Sequence, residues 1–474
     1  FCREKEKCDV KKILSKLNPT QIIIYGFLTT ILIGTFLIVL PVSSAKGEFT
    51  NVIDALFTST SAVCVTGLTV VVTADHWSLF GQLVILGLIQ IGGLGFMCVV
   101  TMISIVLGRK ITMRERNVIQ EAHNLNRQSG VVSFAKYIFK ITMAVELTGS
   151  AILALRFIPE FGLIGGIYRG IFHGISGFCN AGFDIIGSTS LVEYSGDVII
   201  NVVIMALIVT GGLGFPVIQD IIVMFRNIFV KKFSVRYSLG HLNLQSKIAL
   251  TATAVLIVTG ALGILAFEFN NKGTLGDMGM GEKVMASFFQ SVTLRTAGYF
   301  SIDQGSLEYS SKLLGIVLMF IGGSPAGTAG GAKTVTMAVI LVSMLSLVRG
   351  RDEITAFKRS IGLHVLQKSL TVVVMMMTVV IGSVMILSYT EADLLVANGG
   401  RFEILDIFYE VVSAIGTVGL TAGMTPELSD VGKVIVSLCM YIGRVGPISI
   451  AVALTAKRAG DSLVRYPEGN IIVG

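Results

Sequence analysis

Charged residues are scarce in this chain of 474 residues. Lysine, arginine, aspartate and glutamate make up 14% of it, whereas a soluble protein carries about 25%. The 53% of hydrophobic residues come in blocks such as 22–40, 83–107 and 198–225, and a helix of roughly 20 apolar residues crosses a bilayer. The sequence therefore predicts an all-α polytopic membrane protein, whose first apolar block is a retained helix rather than a signal peptide.

Cysteine is also scarce, and the motifs of several catalytic and metal sites are missing. None of the six cysteines forms a Cys-x-x-Cys pair, which disfavours a disulfide or metal framework. Neither His-Glu-x-x-His nor Gly-x-Ser-x-Gly occurs, so an intramembrane enzyme is disfavoured. We expect no enzyme activity, no catalytic residues and no metal beyond a transported cation.

The few charges are placed unevenly, in five separated segments. Together these segments hold 26 of the 37 lysines and arginines but only 9 of the 30 aspartates and glutamates: 1–19, 109–140, 226–247, 349–368 and 457–474. Basic loops of a membrane protein face the cytoplasm. Both termini are therefore predicted to be cytoplasmic, with an even number of crossings. A nucleic-acid-binding face would not be divided among five loops between apolar helices.

A pattern recurs four times between the basic loops. Each copy has a long apolar helix, a short aromatic-bearing helical run, a turn containing glycine, and a second apolar helix. The turn glycines are spaced 115, 116 and 121 residues apart: Gly67, Gly182, Gly298 and Gly419. Glycines of the second helices follow them by 25, 29, 24 and 24 residues: Gly92, Gly211, Gly322 and Gly443. Frequent small residues in membrane helices explain scattered glycines but not this ordered recurrence.

The repeat predicts eight spans and four re-entrant pore helices around one pseudo-fourfold pore. The predicted parts are a cytoplasmic N-terminal segment (1–19), pore repeat 1 (20–108), a cytoplasmic loop (109–135), pore repeat 2 (136–230), pore repeat 3 with a broken second helix (231–350), pore repeat 4 (351–458) and a cytoplasmic C-terminal tail (459–474).

Four non-helical turns at membrane depth suit a dehydrated cation. Such backbone is tolerated only where it is buried in protein or lines a watery cavity, and rings of backbone carbonyls replace the water of a K⁺ ion. Short helices pointing their C-termini at the cavity add partial negative charge. The chemistry needs no reactive side chain.

The turn sequences VTGL, NAGF, TAGY and TVGL resemble those of the Trk/Ktr/HKT potassium transporter superfamily, and are most similar to its bacterial KtrB-type subunit. The resemblance covers about residues 20 to 460. It implies K⁺ uptake across the bacterial cell membrane, stimulated by Na⁺, through a homodimer with two pores. It also implies a cytoplasmic regulatory ring of KtrA/TrkA type, with nucleotide bound on that partner and not on this chain.

Carried over by motif, the resemblance assigns the potassium filter to twelve backbone carbonyls: Val65, Thr66, Gly67, Asn180, Ala181, Gly182, Thr296, Ala297, Gly298, Thr417, Val418 and Gly419. Glycine in all four turns resembles potassium-selective members. Only Thr417–Gly419 reads like the potassium-channel signature itself, so selectivity is expected to be looser than in a symmetric channel.

The second helix of repeat 3 is interrupted by a glycine-rich loop, 322–333. Neither flanking apolar stretch, 313–321 or 334–348, is long enough to span a bilayer, and proline and glycine break helices. We expect this loop to obstruct the pore below the filter, as the resemblance also implies. Its gate residues are Gly322, Gly323, Ser324, Pro325, Ala326, Gly327, Thr328, Ala329, Gly330, Gly331 and Lys333. Ala332 before Lys333 and the missing strand disfavour a phosphate-binding loop.

Arg444 is the remaining gate candidate, and two roles are open for it. It stands where the other repeats have a second glycine, and an ionisable residue inside a membrane is a functional hypothesis. One role is an electrostatic barrier bound to carbonyls of the glycine-rich loop. The other is an ion pair with Glu146 or Glu410.

Three further features each allow two interpretations. Arg295, next to turn 3, either braces that turn or lies exposed at the outer mouth. His173 is expected to be a packed neutral side chain rather than a ligand. The basic segments 109–127 and 349–360 either set the topology alone or dock the regulatory ring.

A secondary symporter with alternating access, coupling K⁺ to Na⁺ or H⁺, is the alternative function, since broken helices mark such proteins too. Four units in parallel orientation favour the pore.

Overall fold

The computed structural model describes residues 18–106, 113–122, 130–351, 353–447 and 449–451. The predicted C-terminal tail (459–474), nearly all of the N-terminal segment (1–19) and much of the loop 109–135 lie outside these residues. The described chain is helical apart from its connecting loops and one small hairpin, Thr355–Ala356 (β1) with Arg359–Ser360 (β2).

The helices fall into four units with the same internal order: a long helix, a short helix, a turn and a second helix. Unit 1 contains α1 (Pro19–Val39), α2 (Val52–Cys64), α3 (Thr73–His76), α4 (Leu79–Leu94) and α5 (Phe96–Val106), followed by α6 (Met113–Ala122). Unit 2 contains α7 (Val131–Cys179), α8 (Val198–Leu213) and α9 (Phe215–Phe229), followed by α10 (Val235–Gly240).

Units 3 and 4 follow the same order. Unit 3 contains α11 (Leu244–Glu268), α12 (Met280–Thr293), α13 (Tyr309–Phe320) and α14 (Thr334–Val348). Unit 4 contains α15 (Leu363–Thr390), α16 (Ile404–Gly416) and α17 (Asp430–Val445). Five single-turn 3₁₀ helices lie in the connections: Pro41–Ser43, Val192–Tyr194, Ala392–Leu394, Val396–Asn398 and Thr425–Glu427.

Four helices in the described part of the chain are long and apolar enough to cross a membrane: Pro19–Val39, Val132–Cys179, Leu244–Glu268 and Leu363–Thr390. The number rises to as many as six if each of two bent helix pairs is counted as one span. The pair α4 and α5 bends by 99° and the pair α8 and α9 by 106°, at Gly95 and Gly214, whose φ angles of 80° and 87° are readily adopted by glycine alone. The eight predicted spans stay a prediction.

Helix α7 is two helices folded back on each other. Pro159 lies near the fold, and Gly162 has non-helical backbone angles (φ 72°, ψ 172°). Beyond it, a Cβ added at Gly166 or Gly170 would lie within 3 Å of the backbone of Ile158 or Ala154. Because those glycines lack a Cβ, the short helix of unit 2 packs directly against the long one.

The four units close into a ring. The short helix of each of three units packs against the second helix of the unit before it: α2 on α17, α12 on α8, and α16 on α13. At the remaining boundary, α7 packs on α4, where the Tyr168 hydroxyl donates to Gln82 at 2.8 Å. The turns that follow the short helices therefore lie together at the centre of the ring.

Candidate functional site

The four turns share one backbone conformation, which few residues adopt. The first residue of each is left-handed: Val65 (φ 58°), Asn180 (φ 60°), Thr296 (φ 70°) and Thr417 (φ 51°). The third is a glycine with positive φ: Gly67 (95°), Gly182 (69°), Gly298 (86°) and Gly419 (92°). Positive φ is an outlier for a β-branched residue, and three of the four first residues are β-branched. Such strain persists where the surroundings impose it and is typical of functional sites.

The turns lie against one another in the order 1, 2, 3, 4. A Cβ added to the glycine of each turn would lie within 3 Å of a carbonyl oxygen of the next: Gly67 against Ala181, Gly182 against Ala297, Gly298 against Val418, and Gly419 against Thr66. The structure thus brings all twelve predicted filter residues together in one closed ring. Only glycine fits at the third position, because any side chain there would overlap the neighbouring carbonyl.

Hydroxyl groups fix each turn from behind. The backbone N–H of Gly67 donates to Ser61 Oγ, and that of Gly419 to Ser413 Oγ, both at 3.1 Å. In units 2 and 3 the hydroxyls are donors instead. Ser176 Oγ donates to the Phe183 carbonyl at 2.8 Å, and Thr293 donates to that of Tyr299. Turns 1 and 4 therefore form one structural pair, and turns 2 and 3 the other.

The glycine-rich loop 322–333 joins α13 to α14 and lies against unit 2. Its ends are closed by a hydrogen bond from the Gly322 N–H to the Ala332 carbonyl at 2.8 Å. Ser324 and Thr328 donate their N–H groups to the carbonyls of Gly212 and Gly211, at 2.8 and 3.2 Å. The backbone of the loop is thus bound to the bend between α8 and α9.

The loop also contacts two turns of the ring directly. Thr328 Oγ1 lies 3.2 Å from both the Phe178 carbonyl and Asn180 Oδ1 of turn 2. A Cβ at Gly330 would overlap the side chain of Thr417 in turn 4. The predicted gate residues therefore lie beside the predicted filter residues.

Arg444 binds backbone carbonyls. Its guanidinium donates to Thr328 of the loop and to Gly92 and Gly93 at the end of α4. Glu146 instead accepts two hydrogen bonds from Gln90, at 3.2 and 3.1 Å. Glu410 accepts one from the Thr425 hydroxyl. Among the described residues, Arg444 forms no ion pair with either carboxylate, so this part of the sequence-based alternative is wrong.

Lys333 ends the loop and binds within it. Its Nζ donates to the Ala329 carbonyl at 2.7 Å. The loop therefore has one basic side chain of its own, Lys333, and is contacted by a second, Arg444.

Arg295 is the site residue whose place sequence reasoning left open. The side chain is buried, at 7% exposure, which excludes the outer-mouth alternative. Its Nη2 donates to the Gly322 carbonyl at 3.4 Å, so it contacts the glycine-rich loop, a partner that its position beside turn 3 did not suggest. His173 is fully buried among Phe157, Phe172 and Tyr299, the packed environment expected for it.

Among the described residues, two ion pairs join neighbouring units, one of them buried and the other partly buried. Lys433 of α17 binds Asp54 of α2 at 2.7 Å, and Lys312 of α13 binds Asp406 of α16 at 2.8 Å. Each pair connects the first turn of a short helix with the first turn of the preceding unit's second helix. They join α2 and α16, which carry turns 1 and 4, to the units before them.

Comparisons with known proteins match this chain to cation transport proteins. A family model described as TrkH, cation transport protein, matches residues 7–466. The potassium/sodium uptake protein NtpJ of Enterococcus hirae is 41% identical, over 98% of this chain and 99% of that protein. The Ktr system potassium uptake protein B of Bacillus subtilis is 40% identical, over 97% of each.

Among solved structures, the potassium transporter TrkH from Vibrio parahaemolyticus matches with a TM-score of 0.68 and 17% identity. The match covers 91% of this chain and 85% of that one. At this identity the likeness shows the fold.

Proposed function

Because the chain belongs to the TrkH family of cation transport proteins, we propose that it takes up K⁺ across the bacterial cell membrane through a pore filtered by the four turns. The observation that carries this proposal is the closed ring of turns, in which each glycine lies against a carbonyl of the next. Relatives covering nearly the whole chain are named as uptake proteins for potassium or for potassium and sodium. Eight spans and four re-entrant helices would surround the ring.

Selection in this proposal rests on backbone oxygens. Twelve residues in four turns supply carbonyls that replace the water around a K⁺ ion, and the short helices direct the negative ends of their dipoles toward them. Turn 4 (Thr417–Gly419) carries the potassium-channel signature and turn 2 begins with an asparagine, so the four sides of the filter differ. Discrimination between K⁺ and Na⁺ is therefore expected to be weaker than in a fourfold-symmetric channel.

The glycine-rich loop and Arg444 form the proposed gate. Arg444 binds the loop at Thr328 and α4 at Gly92, which holds unit 3 and unit 1 together beneath the ring. A guanidinium there also repels a cation leaving the filter. Opening then requires the loop to release this bond.

The wider assembly is proposed from the family resemblance. It comprises a homodimer with both termini in the cytoplasm, and a cytoplasmic ring of nucleotide-binding regulatory subunits beneath it. Na⁺ stimulates uptake. The hairpin of β1 and β2 and the basic segment around it (349–360) offer a cytoplasmic surface for that ring.

The test is K⁺ uptake by the full chain in cells lacking their own K⁺ uptake, with and without Na⁺ and with and without a co-expressed regulatory ring. Gly419→Ala is expected to abolish uptake, because a Cβ would overlap the Thr66 carbonyl. Gly423→Ala is the matched control: Gly423 also has positive φ (94°), but open space surrounds its Cβ position.

If both variants lost uptake equally, backbone strain at positive φ alone would explain the loss. That result would contradict the proposal that the ring of turns is the filter. Strict stoichiometric coupling of K⁺ to Na⁺ or H⁺, with no channel-like currents, would replace the pore by an alternating-access symporter.

A further inference from the structure

We propose that Arg295 is a positioning residue that holds the glycine-rich loop against turn 3, and that Thr253 receives its guanidinium when the loop leaves. The inference rests on the proposed function, since it concerns the regulation of the proposed gate. It adds to Arg444 a second latch on the same loop, provided by the unit that carries the loop.

The first support is the environment of the Arg295 charge. The side chain is 7% exposed, and no carboxylate lies within ion-pair distance of it among the described residues. Its one hydrogen bond goes from Nη2 to the Gly322 carbonyl at 3.4 Å. A buried charge is costly unless it is paired or hydrogen-bonded. Loss of the Gly322 carbonyl therefore forces this guanidinium to find another partner.

The second support is the position of Gly322 at the neck of the loop. It is the second residue after α13, its N–H closes the loop onto Ala332, and a Cβ there would overlap the Gly330 carbonyl. A bond to the Gly322 carbonyl thus fixes both strands of the neck. Arg444 fixes the loop separately at Thr328, six residues further along the chain.

The third support is a small cavity beside the neck. Arg295 and Gly323 line it together with Thr253 of α11, and apolar side chains complete its wall. Within the part of the chain that the structure describes, two buried polar atoms of its lining residues have no hydrogen-bond partner: Arg295 Nε and Thr253 Oγ1. Thr251 and Thr259 of the same helix satisfy their hydroxyls on carbonyls four residues earlier, but Thr253 does not. The cavity therefore offers a free acceptor next to a guanidinium that has a free donor.

These contacts give Arg295 two alternative partners, and loop position decides between them. In the conformation described here, Gly322 is bound and the loop lies against unit 2. When the neck moves away, the guanidinium turns to the Thr253 hydroxyl and remains hydrogen-bonded. Because Arg295 is adjacent to Thr296 of turn 3, the exchange links the filter to the loop by one side chain.

The test compares variants with opposite expected effects in the full chain. Arg295→Met keeps the length but removes charge and donors. Losing one charged hydrogen bond is expected to raise the K⁺ uptake rate about tenfold. Arg295→Lys retains the charge and one donor and should stay near the unmodified rate. Thr253→Val removes the acceptor for the released guanidinium, so it should lower the rate severalfold. Arg169→Met is the control, since Arg169 is a partly buried arginine that contacts Phe161 and not the loop.

A second readout does not depend on transport. Hydrogen exchange of the peptide spanning 322–333 reports loop opening, and we expect it about tenfold faster in Arg295→Met, and slower in Thr253→Val, in purified monodisperse protein. The proposed role of Arg295 would be overturned if hydrogen exchange of the loop were unchanged in Arg295→Met. It would also be overturned if exchange changed in the same direction in both variants. If the unmodified chain carried no K⁺ while these exchange rates still changed oppositely, the proposed function would fail and the latch would stand.

Discussion

At the scale of single residues, the ring depends on positions that ordinary side chains avoid. Val65, Thr296 and Thr417 are β-branched residues at positive φ, a conformation that costs about 1–3 kcal/mol each. The glycine two residues later is required by packing, because the adjoining carbonyl fills the space of a Cβ. The strained backbone angles therefore occur where the backbone of one turn packs directly against the next turn.

Arg444 allows a prediction at this scale. Arg444→Ala should raise the K⁺ uptake rate by about tenfold or more, because charged hydrogen bonds to Thr328 and Gly92 are lost together. Uptake into cells deficient in K⁺ transport measures the change. Arg401→Ala is the control, since the side chain of that arginine is 77% exposed and pairs with Glu427. An unchanged rate in a well-folded Arg444→Ala protein would remove the barrier role.

At the scale of elements, the short helices hold their turns in place by close packing on the long ones. In α7 this packing uses glycine at intervals of four residues, at Gly166, Gly170 and Gly174, because residues four apart share a helix face. The hairpin of α7 is therefore a rigid support for turn 2, and its small residues set how near the turn comes to the axis.

Gly170→Ala tests this support. The added Cβ would lie 2.6 Å from the Ala154 backbone nitrogen, and overpacking costs roughly 1–3 kcal/mol. Thermal unfolding of purified protein should show a lower midpoint than in the unmodified chain. Gly165→Ala lies in the same helix and gains the same helix propensity, but its new Cβ meets only side chains. It should be neutral or stabilising, and a midpoint lowered equally by both changes would contradict the close-packed hairpin.

At the scale of the whole molecule, four unlike units make one ring, and the contacts at their boundaries differ. Two boundaries carry ion pairs, one buried and one partly buried, and the boundary between units 1 and 2 carries the Tyr168–Gln82 hydrogen bond. At the fourth boundary, the position matching Lys312 and Lys433 is Asn201, which lies four residues after the N-cap of its helix, as they do. The ring therefore lacks a matching lysine where unit 2 meets unit 3, the unit that carries the glycine-rich loop.

The ion pair between units 3 and 4 gives a prediction for the whole molecule. Lys312→Met leaves Asp406 unpaired at 9% side-chain exposure, and breaking one side of a buried pair costs about 3–5 kcal/mol. The unfolding midpoint should fall strongly. Adding Asp406→Met should recover part of the loss, because no unpaired charge then remains.

The exposed pair Arg401–Glu427 provides the comparison for that cycle. Surface pairs contribute about 0–1 kcal/mol, so Arg401→Met should hardly move the midpoint. Equal effects of Lys312→Met and Arg401→Met would show that the pair between the units does not hold the ring.

Much of the site could be predicted from the sequence because its constraints are local. Gly67 and its three counterparts recur at nearly regular spacing along the chain. Pro325 and the glycines around it break a helix whatever the tertiary fold. The partners of the long basic side chains could not be predicted in this way. Arg444 had two candidate partners in the sequence, and Arg295 had two candidate locations, because a long flexible side chain reaches partners that spacing does not identify.

The helical membrane class, the fourfold order of helix, short helix, turn and helix, and the residues of the turns and the loop could all be predicted from the sequence. Periodicity, apolar length and glycine placement act within a few residues of one another, so they are readable without a fold. Three contacts became visible in the folded chain alone: turn 1 lies against turns 2 and 4, Arg444 binds carbonyls rather than a glutamate, and Arg295 reaches Gly322. Those contacts join residues 27 to more than 350 positions apart. They form because the fold buries these residues side by side, which spacing along the chain does not reveal.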